Sequence, residues 1–390
     1  MENFIFQNST KIIFGKDKEK LVGKEIVTYG NKILLHYGGG SIKKTGLYDK
    51  IVNSINEADL SFIELSGVKP NPRLDLIKKG IDTCRKEKVD AILAVGGGSV
   101  IDSAKAIGIG AMYNGDVWDL FENKAPIEST LPVGVVLTIP AAGSETSGTS
   151  VITNEKSRYK RGISHNIMRP KFAILNPELT YTLPPFQTAA GGVDIISHVL
   201  ERYFTNVSNV DLTDKLCEGT LKSIIKNLPF VLNEPKNYNA RAEIMWAGTI
   251  AHGDLLDTGR IGDWGSHMIA HEISAMYDIT HGATLSIIFP AWMKYVYKNN
   301  VKRFAQYAER VWNVELDLDN LDSTALYGIQ KTELFFKSIG MPVSFKDASI
   351  PSDRVDEMAF KCTQRGPVGN FVKLEKKDVL EILKIASQLV

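Results

Sequence analysis

DAILAVGGGSVIDSAKAIG, residues 90–108, passes from a continuous apolar run through three glycines into a pattern of helical length. A strand-length run without polar alternation is buried on both faces, which is the habit of a parallel sheet covered by helices. KILLHYGGGS, residues 32–41, has the same layout. Outward from these two units, short apolar β-rich runs alternate with amphipathic helical patterns from about residue 32 to residue 183. The reading is an α/β domain with a Rossmann-like parallel sheet. LNPELTYTLPP, residues 175–185, ends a strand-like run in prolines, and beyond it the periodicity becomes helical. The expected organisation is an α/β domain over 1–185 and an all-helical domain over 186–390. The first fifteen residues, MENFIFQNSTKIIFG, read as strands and lack the basic start and small-residue cleavage site of a signal peptide.

The totals narrow the function classes. The 390 residues are 44% hydrophobic and 23% charged, enough apolar material for two cores. A net charge of +1 leaves no basic excess for a phosphate backbone or an anionic membrane surface, so nucleic acid and membrane are poor partners. Cys84, Cys217 and Cys362 are scattered and form no C-x-x-C pair, and they read as reduced, buried thiols. No apolar run reaches the roughly 20 residues of a membrane span. A soluble, cytoplasmic protein is expected.

Both glycine turns, Gly38, Gly39, Gly40 with Ser41 and Gly97, Gly98 with Ser99, place bare backbone N–H groups at the start of a following helix. That is a physical site for a pyrophosphate. A plain tight turn explains either one alone; two in consecutive units favour a nucleotide. Neither is the G-x-G-x-x-G fingerprint. LTIPAAGSETSGTSVIT, residues 137–153, sets small and hydroxyl residues directly after a strand, as a wall against a flat ring would need. Lys160 follows, either as a cofactor contact or as a solvated charge beside Arg158 and Arg161.

GGVDIISHVLERY, residues 191–203, puts Asp194 and His198 at i and i+4 on one helix face. WGSHMIAHEISAMY, residues 264–277, spaces His267 and His271 the same way, and His281 opens the next helical pattern. Four of the seven histidines lie in these two regions. A single Asp-x-x-x-His is weak evidence, and the clustering is what points to an ion. Imidazoles with one carboxylate suit Zn²⁺ or Fe²⁺. In HMIAHE the glutamate follows the second histidine, so this is not the metalloprotease H-E-x-x-H. His36, His165 and His252 read as structural; Trp246 and Trp264 read as core or pocket lining.

With these motifs in order, joined by FQNSTKIIFGK (6–16), VKPNPRLDLIKKG (68–80) and YAERVW (307–312), the chain resembles the iron-containing, group III alcohol dehydrogenases, in their butanol dehydrogenase-like branch. The resemblance spans essentially the whole chain and implies the dehydroquinate synthase-like fold, a metal at the cleft between the domains and a homodimer. It implies that Asp194, His198, His267 and His281 hold the metal and that His271 is the additional histidine near the substrate, passing a proton toward solvent. It implies cofactor contacts from Gly97, Gly98, Ser99, Asp102, Thr138 and Lys160. Relatives that prefer NAD place an aspartate at the position of Gly39; its absence here, with Lys43 and Lys44 following, points to NADP(H), NAD(H) remaining the alternative. AHGDLLDTGR, residues 251–260, departs from the asparagine-glycine loop of such relatives and leaves the pocket's shape open. The expected activity is reversible reduction of short to medium aliphatic aldehydes. A lyase of the dehydroquinate synthase type and a non-catalytic metal-binding protein are the competing readings.

Overall fold

A computed structural model describes residues 1–388; Leu389 and Val390, where the last helical pattern ends, lie outside the described residues. The chain divides into two compact units, Gln7–Leu183 and a second made of Met1–Phe6 with Pro184–Val390. The sequence grouped residues 1–185; instead Met1–Phe6 goes with the helical unit, where Glu2 donates its backbone N–H to the Gly259 carbonyl at 2.9 Å. The strand expected across residues 1–15 is confined to four residues, Lys11–Phe14.

The α/β unit contains β1 (Lys11–Phe14), β2 (Lys32–Tyr37), β3 (Ser61–Leu65), β4 (Ala91–Gly97), β5 (Val133–Ile139), β6 (Thr149–Asn154), β7 (Tyr159–Ser164) and β8 (Phe172–Leu175). Its helices are α1 (Val22–Ile26), α2 (Ser41–Lys44), α3 (Leu47–Glu57), α4 (Leu74–Glu87), α5 (Gly98–Met112) and α6 (Val117–Phe121). Six strands form one sheet in the order β1-β8-β5-β4-β2-β3, and every neighbouring pair is parallel. β6 and β7 form a separate antiparallel hairpin. The hydropathy of each strand follows its place: central β4 is buried along its apolar length, whereas edge strands β1 and β3 are half-exposed. From β2 the chain goes outward to β3, while from β4 it goes to β5 on the other side. The sheet order therefore reverses between β2 and β4, and the two glycine turns follow these two strands at their carboxyl ends, where open α/β sheets bind ligands.

The helical unit runs through α7 (Pro185–Tyr203), α8 (Asp211–Asn233), α9 (Tyr238–Ala251), α10 (Gly265–Tyr277), α11 (His281–Val296), α12 (Val301–Trp312), α13 (Leu321–Ser338), α14 (Val355–Thr363) and α15 (Lys376–Ser387). Pro185 at the first position of α7 has the φ a helix start needs and no N–H to leave unbonded. α7 is buried on all sides from Thr188 to Tyr203, so its charged residues Asp194, Glu201 and Arg202 need partners inside the protein. Around it Phe204, Trp292, Phe304, Tyr307 and Phe371 pack as a continuous aromatic cluster. Among the described residues no helix is long and apolar enough to cross a membrane. Cys84 and Cys217 are buried thiols; Cys362 is partly exposed.

Candidate active site

α7 presents Asp194, His198 and Glu201 at i, i+4 and i+7, one stripe of the helix. α10 brings His267 in its first turn, and α11 opens on His281 directly after its N-cap Thr280. One ligand atom each from Asp194, His267 and His281 lies within 4.8 Å of the others. His198 Nε2 is 3.4 Å from Asp194 Oδ1, and the His198 and His267 rings are 4.7 Å apart, centre to centre. Two buried nitrogens here, His198 Nδ1 and His267 Nε2, have no hydrogen-bond partner in the protein. A buried nitrogen lone pair left over in this way is what a metal ligand requires before its ion arrives. Burial first, then the neighbouring imidazoles of His252 and His267, hold His198 well below the ordinary imidazole value, so the ring is neutral and able to ligate. Asp194, His267 and His281 lie close enough to share an ion, and with His198 against Asp194 and His267 the set offers the charge and donor types that a divalent cation takes. His271 is partly exposed, its ring 5.1 Å from that of His281.

Three residues around this cluster escaped the sequence reading. Glu201, fully buried, accepts from His267 Nδ1 at 2.6 Å, from Ser266 Oγ at 2.5 Å and from the backbone N–H groups of Trp264 and His267 at 2.5 and 3.1 Å. His252, expected to be structural, lies with its ring centre 4.5 Å from that of His198 at a tilt of 41°, and its Nδ1 meets the Arg202 guanidinium at 2.7 Å. Arg202 also bonds Asp257 Oδ2 at 2.7 Å, so two of the distinctive residues of the 251–260 segment stand behind the histidine cluster. The signal for Glu201 was in the sequence, seven residues after Asp194; for His252 there was none, because α7 and the 251–260 segment meet only in the fold. Trp264, at positive φ, packs against His198, His252 and His267, whereas Trp246 is exposed. Asp263 accepts backbone N–H groups of Gly265, Asn370 and Phe371, while burial and then Glu201 raise its pKa.

In the α/β unit, α5 begins at Gly98 with no side chain capping its first turn, leaving backbone N–H groups for an anion. At Gly39 an added Cβ would meet nothing within 4 Å. Asp102 turns away from bulk solvent: Oδ1 accepts from Ser144 Oγ at 2.5 Å and Oδ2 from Val151 N at 2.9 Å. Lys105, also overlooked, is fully buried and donates to the carbonyls of Ser144, Ser147 and Thr149 at 2.6, 2.8 and 2.8 Å. Asp102 and Lys105 together thus hold the 144–151 segment against α5. Lys160 is buried rather than solvated, its Nζ 2.9 Å from Asn71 Oδ1. Thr138 is partly exposed near the end of β5. Lys43 pairs with Glu64 at 3.2 Å, and Lys44 is exposed.

Residues 9–177 match the family described as iron-containing alcohol dehydrogenase, and residues 188–387 match the Fe-containing alcohol dehydrogenase family, C-terminal. The chain is 45% identical to the probable NADH-dependent butanol dehydrogenase 2 of Bacillus subtilis, over 98% of this chain and 99% of that protein. It is 37% identical to the NADPH-dependent aldehyde reductase YqhD of Escherichia coli, over 94% of each. The crystal structure of NADH-dependent butanol dehydrogenase A from Thermotoga maritima superposes with a TM-score of 0.96 at 44% identity, covering 99% of both chains.

Proposed function

This chain belongs to the iron-containing alcohol dehydrogenase family, and on that premise we propose an NADP(H)-preferring, metal-dependent dehydrogenase for short to medium aliphatic alcohols and aldehydes, working as a homodimer with one Fe²⁺ or Zn²⁺. Its reaction class is that of an NAD(P)-dependent alcohol dehydrogenase or aldehyde reductase. The observation that carries the proposal is the cluster of buried Asp194 and His267 with partly buried His281, with His198 beside it and the unpartnered nitrogens of His198 and His267. When bound there, a divalent metal supplies Lewis acidity to the alcohol or aldehyde oxygen, and the nicotinamide gives or takes the hydride. The chain's own residues do the rest. Asp194, His198, His267 and His281 would hold the ion, Asp194 offsetting part of its charge. Trp264, packed edge-to-face against the His198 and His267 rings, would shield them from water. His271, partly exposed and next to His281, would carry the proton between the reacting oxygen and solvent.

For the cofactor, Gly97, Gly98 and Ser99 at the α5 start would bind pyrophosphate, with Gly38, Gly39, Gly40 and Ser41 beneath the ribose and Asp102, Thr138 and Lys160 along the remaining contacts. The open space at Gly39 and the exposed Lys44 support a 2′-phosphate, although Lys43 is already engaged by Glu64. The named relatives use either cofactor, so the preference rests on this chain's own turn.

The test is oxidation of NADPH and NADH with butanal, on metal-free protein and on protein reloaded anaerobically with Fe²⁺ or Zn²⁺. Metal-dependent turnover with a higher kcat/KM for NADPH is expected, and Gly39→Asp should move the ratio toward NADH by about tenfold or more, the equivalent of about 1.4 kcal/mol. No turnover with butanal, whichever metal is loaded, would sink the dehydrogenase reading; an unmoved ratio would sink only the cofactor preference.

A further inference from the structure

We propose that Glu201 is a positioning residue for the metal centre: it fixes the tautomer and orientation of His267, so that Nε2 carries the lone pair that faces Asp194 and His281. The inference rests on the metal-site reading above. The carboxylate is fully buried on α7, and the four bonds it accepts come from Ser266 Oγ, the backbone N–H groups of Trp264 and His267, and His267 Nδ1. Both backbone groups can only donate. A carboxylate held by such donors acts as an acceptor, and the 2.6 Å contact to His267 Nδ1 is then an N–H donated by the ring. With the proton on Nδ1, Nε2 is left unprotonated, and it is this nitrogen that is buried without a partner in the protein.

Asp263 does not compete for the role, because its oxygens already take backbone N–H groups from Gly265, Asn370 and Phe371. Glu201 also sits at the start of α10, where the helix's own unbonded amides favour negative charge, so one carboxylate secures both the helix start and the ring three residues in. Carboxylates behind a ligating imidazole raise its basicity and hold its plane, and their loss typically weakens metal affinity 10–100-fold.

The experiment is a competition titration of the metal-free full chain with Zn²⁺ against a chelator of known affinity, together with the visible absorption of the Co²⁺ form. Glu201→Gln keeps the shape and loses the charge. It should raise the Zn²⁺ Kd by about 10–100-fold and shift the Co²⁺ bands. Ser266→Ala, which removes one donor and leaves the ring contact, should change both far less. A role confined to capping α10 would lower Tm and leave Kd and the bands alone, and that result overturns the proposal. If Glu201→Gln does not fold, Glu201→Asp keeps the charge but withdraws it by one methylene, and a Kd equal to that of the natural chain overturns the proposal equally. A natural chain that itself binds no Zn²⁺ or Co²⁺ would instead bring down the metal-site reading.

Discussion

His36 illustrates how far a buried environment can move a single side chain. It lies in central β2, fully buried, with Nδ1 2.9 Å from the Leu65 carbonyl and Nε2 2.8 Å from Ser103 Oγ. Burial pushes its pKa down from 6.5 to about 4. The folded protein therefore keeps the ring neutral where the unfolded chain takes up a proton, and unfolding is favoured as pH falls from 6.5 toward 4. At about 1.4 kcal/mol per pH unit, the loss attributable to His36 is about 3 kcal/mol across that window. His36→Gln should flatten the dependence there, checked by urea unfolding of both proteins at pH 7, 6, 5 and 4; parallel curves would refute the assignment. Burial acts in the same way on Asp102 and Lys105 of α5. Their charges were legible in GGGSVIDSAK, but that they hold the 144–151 segment became visible only with the strands in place.

At the level of elements, the candidate metal centre depends on how closely α7 and α11 approach. Gly282, next to His281, has no room for a side chain: a Cβ there would lie 2.0 Å from the Ala190 carbonyl oxygen of α7. That neighbour is backbone and cannot swing aside. Gly282→Ala should cost about 1–3 kcal/mol of stability and weaken metal binding as His281 is driven from Asp194. Gly219→Ala on α8, where a Cβ meets nothing within 4 Å, is the control and should stabilise by about 0.4–1 kcal/mol. Chemical unfolding and a metal titration on both variants read this directly. Equal effects from the two alanines would mean that the contact does not matter. The Asp194 and His198 pair, spaced one turn apart, could be read from the sequence as a shared helix face. The i+7 position of Glu201 belongs to the same face, but its partner, His267, lies 66 residues on.

For the whole molecule, the ion would join three helices that are distant in sequence but belong to one unit. Saturation at 100 times Kd contributes about 2.7 kcal/mol to the folded state. Removing the metal with a chelator should therefore raise hydrogen exchange in α7, α10 and α11 and leave β2, β4 and β5 of the other unit unchanged. Mass spectrometry of exchange with and without metal tests this. Equal change in both units would contradict a site confined to the helical one.

The alternation of buried strands with helices, the change to helical periodicity after residue 185 and the glycine turns were all in the sequence, because each is a local pattern: strand burial, helix period and turn chemistry act over a few residues. The convergence of Glu201 on His267, the contact of His252 with His198 with Arg202 behind it, and the burial of Lys160 against Asn71 were decided only by the tertiary structure. Each joins residues at least 50 apart in the chain. No periodicity encodes such pairs; they follow from the requirement that charges and polar atoms carried inward by an all-buried helix or strand find partners in whatever element packs against them.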